Sequence, residues 1–187
     1  MNLTLTWDLF VIVFFAMIVT YSFIIGKHES VKIIVASYVA VVAVQGIGNV
    51  LSRLSGTSQT FLTLLGMGRI EISFLAGTKL LLFVAAIIIF AVRGGFEIEF
   101  ERDHSSLIDL IFTGIFGFAT AGLLLSTLLT YVADSAILSL TIGASPVIAG
   151  IVKESQLMGI MVEYQDLWFS VPALLLLAAG LIGKERA

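Results

Sequence analysis

The chain of 187 residues is 59% hydrophobic and only 12% charged, about half the roughly 25% charged residues of an average soluble domain. Its net charge of −3 and its lack of Cys exclude a basic nucleic-acid footprint, disulfides and thiolate metal sites. At this length one bundle of four or five helices fits, without a separate catalytic domain.

Five apolar stretches are long enough, or nearly so, to cross a bilayer. A helix rising 1.5 Å per residue needs about 20 apolar residues for a hydrocarbon slab of ~30 Å. The sequence therefore predicts an all-α integral membrane protein, a polytopic bundle of four to five transmembrane helices with interfacial amphipathic connectors. The predicted spans are at about residues 7–26, 31–51, 79–93, 107–132 and 167–183. The fifth run is at the lower limit for spanning, so the choice between four and five spans stays open.

The start of the chain predicts a retained helix followed by a tight turn. No Lys or Arg precedes Lys27, whereas a cleavable signal needs a basic region ahead of its apolar core. Asp8 is expected at the interface, as a cap of this first helix. Residues 26–30 read as a short polar turn into the second span.

The connectors are more polar than the spans. Residues 59–70 form a short amphipathic segment expected to lie in the interface. Residues 137–165 are broken by Gly143 and Pro146 and are predicted to be interfacial or re-entrant. Residues 96–101 alternate apolar and acidic, a period of two that favours a strand, with an extended loop as the alternative.

Counting basic residues gives an orientation. In a five-span arrangement six Lys and Arg fall on one side and four on the other. By the positive-inside rule this favours an outside N-terminus and a cytoplasmic C-terminus in the inner (cytoplasmic) membrane.

The fourth apolar stretch resembles the signature helix of the colicin V production protein (CvpA) family. Asp109 is followed by an apolar turn, by the pair Gly114 and Gly117, and by a Leu-rich tail beyond Gly122. With the order of the first three spans, the resemblance covers roughly residues 7–132. It departs at Leu110, where the family usually has a basic residue, and in the first turn, where its usual Arg-Gly is reduced to Gly-Lys. The resemblance implies an inner-membrane protein tied to toxin export or envelope homeostasis, with no established catalytic mechanism.

Four polar residues are candidates for a path through the membrane. Asp109 lies within a turn of the membrane boundary, where it either caps its helix or serves a function as a buried carboxylate. Gln45 and Asn49 share one helical face and either line a polar path or hydrogen-bond between helices. Lys79 either snorkels to the interface or pairs with Asp109 or Glu71.

Small residues predict close helix packing at Gly114, Gly117, Gly122, Gly46 and Gly48. Their spacing does not decide between packing within one chain and packing between subunits. The expected partners are the lipid bilayer and either further copies of the chain or another membrane protein, with no nucleic acid. No cofactor and no metal are expected, since His28 and His104 fall in different loops.

Two functions remain from the sequence. The first is a non-enzymatic, CvpA-like accessory or assembly component, self-associating through small residues. The alternative is a small oligomeric transporter or channel with a polar path near Asp109. An enzyme ranks third, because the sequence lacks the clusters of His, Cys and carboxylates that membrane hydrolases and transferases generally display.

Overall fold

The computed structural model describes residues 6–57, 72–93, 106–133 and 146–184. Those residues form six α-helices, which confirms the all-helical class over the described part of the chain. The helices are α1 (Trp7–Thr57), α2 (Ile72–Arg93), α3 (Ser106–Val132), α4 (Pro146–Glu154), α5 (Gln156–Glu163) and α6 (Gln165–Lys184). The predicted interfacial segment at 59–70, the predicted strand at 96–101 and residues 137–145 lie outside the described residues.

Two of these helices are long and apolar enough to cross a membrane, over Trp7–Val50 and Asp109–Val132. A third candidate arises if α5 and α6, which meet at a bend of 65°, count as one broken span. The predicted number of four or five differs for two reasons. Two predicted spans lie within the single helix α1, and the apolar part of α2, Gly77–Phe90, is shorter than a full span.

Gly26 interrupts α1 with a single non-helical residue, at φ 83° and ψ 174°. Glycine adopts positive φ readily, whereas other residues rarely do. A β-carbon here would meet no atom within 4 Å, so the backbone conformation, and not space, requires the glycine. The break divides α1 into a first arm, residues 7–25, and a second arm, residues 27–57.

The first arm runs antiparallel to α3. Phe23 lies against Gly114, and Ser22 lies against Gly117 further along α3. Still further, Phe15 packs its ring against Phe118, with 5.1 Å between the ring centroids. Residue numbers therefore fall along the first arm as they rise along α3.

The second arm runs in the same direction as α3. It begins at Lys27, which bonds Asp109 in the first turn of α3. Eleven residues on, the hydroxyl of Tyr38 donates to the carbonyl of Phe169, and the neighbouring Trp168 lies against Gly122 of α3. The two arms thus form a helical hairpin against α3, reversed at Gly26.

The second arm also packs on α2, which runs back along it. Lys79 of α2 lies against Gly48 of the second arm, and Phe83 meets the ring of Tyr131 near the end of α3. Helix α3 is the centre of the bundle, because it contributes to both apolar clusters. One cluster joins α3 to the second arm, α2 and α6, and the other joins α3 to the first arm, α4 and α5.

The exterior of the bundle is apolar, unlike the surface of a soluble protein. Large apolar side chains are exposed on five of the six helices, with Ile24 77% and Met17 62% accessible. Several hydroxyl side chains are buried among the apolar core residues, and four of them, Thr113, Thr120, Thr127 and Thr130, donate to the carbonyl four residues before them in α3. A hydroxyl paired in this way needs no water. The exterior therefore fits a lipid environment, and the structure supports membrane association.

Candidate functional site

The best candidate site is an ion pair at the hairpin turn. The ammonium of Lys27 donates to Oδ1 of Asp109 at 2.5 Å. Lys27 is 13% accessible and Asp109 is 37% accessible. The pair is therefore shielded on the lysine side and open on the carboxylate side.

Local structure explains how these two residues meet. The break at Gly26 places Lys27 in the first turn of the second arm. Asp109 lies in the first turn of α3, where a carboxylate suits the helix dipole. The backbone carbonyl of Asp109 also accepts the hydroxyl of Thr113 at 2.7 Å. The sequence pattern suggested Lys79 as a basic partner of Asp109, and a contact with Lys27 was not predicted.

The remaining polar candidates lie at the other end of the second arm. The side chain of Lys79 crosses Gly48, where a β-carbon would be 2.9 Å from its Cε. Gln45 is half-buried and Asn49 is exposed nearby. Since Gly48 is 21 residues beyond Lys27, about 32 Å of helix separates this group from the ion pair. The structure therefore does not bring Asp109 together with Lys79, Gln45 and Asn49.

Three predicted packing glycines of α3 make contacts within the chain. A β-carbon at Gly114 would lie 3.2 Å from Cζ of Phe23, and one at Gly117 would lie 2.8 Å from Cβ of Ser22. A β-carbon at Gly122 would overlap the ring of Trp168 in α6. Of the two glycines in the second arm, Gly48 meets Lys79, while Gly46 has no side-chain neighbour within 4 Å.

A second polar contact ties the start of α1 to α5. Oδ1 of Asp8 accepts from the hydroxyl of Ser155 at 2.6 Å and from the amide of Leu157 at 3.1 Å. The oxygen of Ser155 in turn accepts from the amide of Met158 at 3.0 Å.

At the start of α1 the hydroxyl of Thr6 accepts from the Leu9 amide at 3.3 Å. The Asp8 carboxylate, which was predicted to cap this helix, caps α5 instead. Asp8 and Ser155 are 147 residues apart in the sequence. A sequence signal for this cap was present at the start of α5, where Ser155 precedes an apolar helical turn.

A third polar contact lies at the bend between α5 and α6. The side-chain amide of Gln165 donates through Nε2 to Oγ1 of Thr130 at 2.7 Å, and both residues are buried. The hydroxyl of Thr130 donates a hydrogen bond to the carbonyl of Ser126. The Oγ of Ser126 and the hydroxyl of Tyr131 are buried without a hydrogen-bond partner among the described residues. This contact was not predicted, because Gln165 was placed in an interfacial segment.

The described residues contain no group of three His, Cys, Asp or Glu that could hold a metal ion. The chain matches no family model, no curated protein and no solved structure. The likeness to the CvpA family therefore rests on the sequence pattern around Asp109. In the structure that pattern marks the helix face on which the first arm packs.

Proposed function

We propose that the chain is a non-enzymatic, CvpA-like integral membrane protein of the inner (cytoplasmic) membrane. It acts as an accessory or assembly component in envelope homeostasis or toxin export. In this proposal the bundle has four or five spans, and each arm of α1 crosses the membrane separately.

Helix lengths support separate crossing by the two arms. A straight helix of the 51 residues of α1 would be about 77 Å long, more than twice the ~30 Å slab. The first arm alone is about 28 Å long and the second about 46 Å. The reversal at Gly26 therefore gives two segments that each fit a bilayer.

The observation that carries the accessory role is the way α3 uses its signature residues. Asp109 is held by Lys27, and Gly114 and Gly117 receive the side chains of the first arm. These are packing contacts that hold the hairpin against α3. A protein whose distinctive residues build a rigid bundle is suited to bind other membrane components rather than to turn over a substrate.

The proposal is tested by replacing a packing glycine in the source organism. Gly117→Leu forces a side chain into Ser22, where a β-carbon already lies at 2.8 Å. We expect this variant to lose the complexes that native mass spectrometry detects after gentle extraction, and to sensitise cells to envelope stress or lower toxin export. Gly46→Leu is the matched control, because nothing lies within 4 Å of that position.

Two results would contradict the accessory role. One is a wild-type chain that runs as a bare monomer and whose deletion leaves envelope integrity and toxin export unchanged. The other is a Gly117→Leu variant that forms the same complexes as the wild type.

One observation favours a transporter or channel as the second candidate. Helices α5 and α6 meet at a 65° bend, and the buried amide of Gln165 bonds Thr130 beside it. Broken helices with polar groups at membrane depth line the substrate sites of many transporters. In liposomes with a potassium gradient and a trapped pH-sensitive dye, this candidate predicts ion flux that Asp109→Asn or Gln165→Leu abolishes. Unchanged flux in both variants would remove these residues from any path.

A further inference from the structure

An apolar groove runs along the outside of the bundle between α3 and α6. It consists of two hollows of about 470 Å³ and 410 Å³, and Phe118, Ala119 and Val171 line both. The small side chain of Ala119 forms part of its floor. Because the same residues line both hollows, the groove is continuous.

The groove has the length of one leaflet. On α6 it extends from Leu175 to Leu167, eight residues or about 12 Å of helix, and it continues past the bend to Tyr164 and Ile160. Half of the ~30 Å hydrocarbon slab is about 15 Å. An acyl chain of one leaflet would therefore fill the groove from end to end.

One end of the groove lies beside the ion pair. Leu110 and Ile111, which line this end, directly follow Asp109, and Phe23 lies one turn before Lys27. The carboxylate of Asp109 is 37% accessible here although it bonds Lys27. This end of the groove therefore offers a partly open carboxylate, whose lysine partner is shielded.

The charge at this end of the groove determines which lipid headgroup fits there. A phosphoethanolamine headgroup carries an ammonium, which matches the partly open carboxylate of Asp109. A phosphoglycerol headgroup has the phosphate but no cation for the carboxylate. We infer that the groove between α3 and α6 binds one phosphatidylethanolamine molecule, with an acyl chain in the groove and the headgroup on the Lys27–Asp109 pair.

This inference rests on the membrane location proposed above. Native mass spectrometry of the detergent-solubilised chain with dioleoyl phosphatidylethanolamine and dioleoyl phosphatidylglycerol tests it. We expect one phosphatidylethanolamine to be retained at collision energies that strip phosphatidylglycerol. Asp109→Asn should remove this preference while an acyl chain still binds. Equal retention of the two lipids by the wild-type chain would overturn the headgroup assignment.

Blocking the groove tests the position of the acyl chain. Val171→Trp places a large side chain where the two hollows join, and Leu174→Trp is the control on the same helix, exposed and outside the lining. We expect Val171→Trp to weaken lipid retention at least about tenfold, since several methylene contacts are lost, and Leu174→Trp to bind as the wild type. Equal retention by the two variants would overturn the groove as the site.

A second readout uses the tryptophan in the groove. The chain has two Trp residues, so Trp7→Phe leaves Trp168, which lines the groove, as the sole fluorophore. A phosphatidylethanolamine with brominated acyl chains should quench Trp168 saturably in detergent, and linear, unsaturable quenching would contradict a site.

Alkaline carbonate extraction separates this inference from the proposed location. A chain released by carbonate contradicts membrane integration, whereas a retained chain without lipid preference contradicts only the lipid site.

Discussion

At the scale of single residues, the contact between Lys27 and Asp109 depends on Gly26. The sequence predicted a turn at residues 26–30 and singled out Asp109, but it did not predict a contact between Lys27 and Asp109. Its orientation placed the turn at residues 26–30 and the start of the fourth span on the same side of the membrane, which makes them neighbours in principle. What it could not supply was the direction of each side chain, since that follows from the reversal at a single positive-φ residue.

The strength of the ion pair is a first prediction. In a double-mutant cycle with Lys27→Met and Asp109→Asn, we expect a coupling of about 0.5–1 kcal/mol in the free energy of unfolding, because a partly exposed pair is screened by solvent. Unfolding of the detergent-solubilised chain by SDS titration provides the measurement. The coupling should fall as salt rises.

The exposed pair of Lys32 and Glu29, at 2.7 Å and three residues apart, is the matched comparison. Its coupling should be smaller, about 0.3 kcal/mol, the usual value for such a pair on a helix surface. A coupling at Lys27–Asp109 no larger than this would mean that the pair does not hold the hairpin to α3.

At the scale of elements, the cap that Asp8 gives α5 shows how a short helix is fixed. Helix α5 has eight residues, too few to be stable alone. Its first amides are satisfied by Ser155 and by the carboxylate of Asp8 from the first arm. The start of α1 therefore determines where α5 lies, and through the bend it also directs α6.

Removal of this cap is a second prediction. Asp8→Ala should lower the free energy of unfolding, because the first amides of α5 lose a capping side chain. Asp8→Asn keeps an acceptor oxygen and should cost less. Hydrogen exchange of the Leu157 amide, read by mass spectrometry, should speed up in Asp8→Ala.

Asp166→Ala serves as the control, since Asp166 is exposed in the first turn of α6. Equal exchange at Leu157 in the two alanine variants would show that Asp8 does not cap α5 in the membrane protein.

At the scale of the whole molecule, hydropathy predicted where helices form more successfully than how they pair. The apolar runs around residues 107–132 and 167–183 correspond to α3 and α6, since a long apolar segment can pair all its backbone groups within a helix. The two predicted spans at 7–26 and 31–51 correspond to the two arms of α1, which meet at Gly26. The polar residues after Gly26 were predicted to form a turn, whereas the structure keeps them helical.

The residues of the predicted polar path do not lie together. Asp109 and Lys79 contact opposite ends of the second arm, and the sequence pattern does not show this separation.

The separate crossing of the two arms is a third prediction. The chain has no Cys, so single cysteines at Thr6, Glu29 and Asn49 can be labelled with a membrane-impermeant maleimide on intact spheroplasts. We expect Thr6→Cys and Asn49→Cys to label from the outside and Glu29→Cys to label after lysis, since the reversal at Gly26 puts the two helix ends on one side. Labelling of Thr6→Cys and Asn49→Cys from opposite sides would contradict a hairpin.

The ion pair at the turn also imposes an order on biosynthesis. Lys27 and Asp109 are 82 residues apart, and a ribosome adds about 5–20 residues per second. For roughly 4–16 s after Lys27 is made, its counter-ion does not yet exist. In the topology proposed above, the ammonium stays at the cytoplasmic surface during that interval, so it acts first as the charge that retains the nascent hairpin. When α3 forms, Asp109 pairs with this ammonium and holds the hairpin against α3.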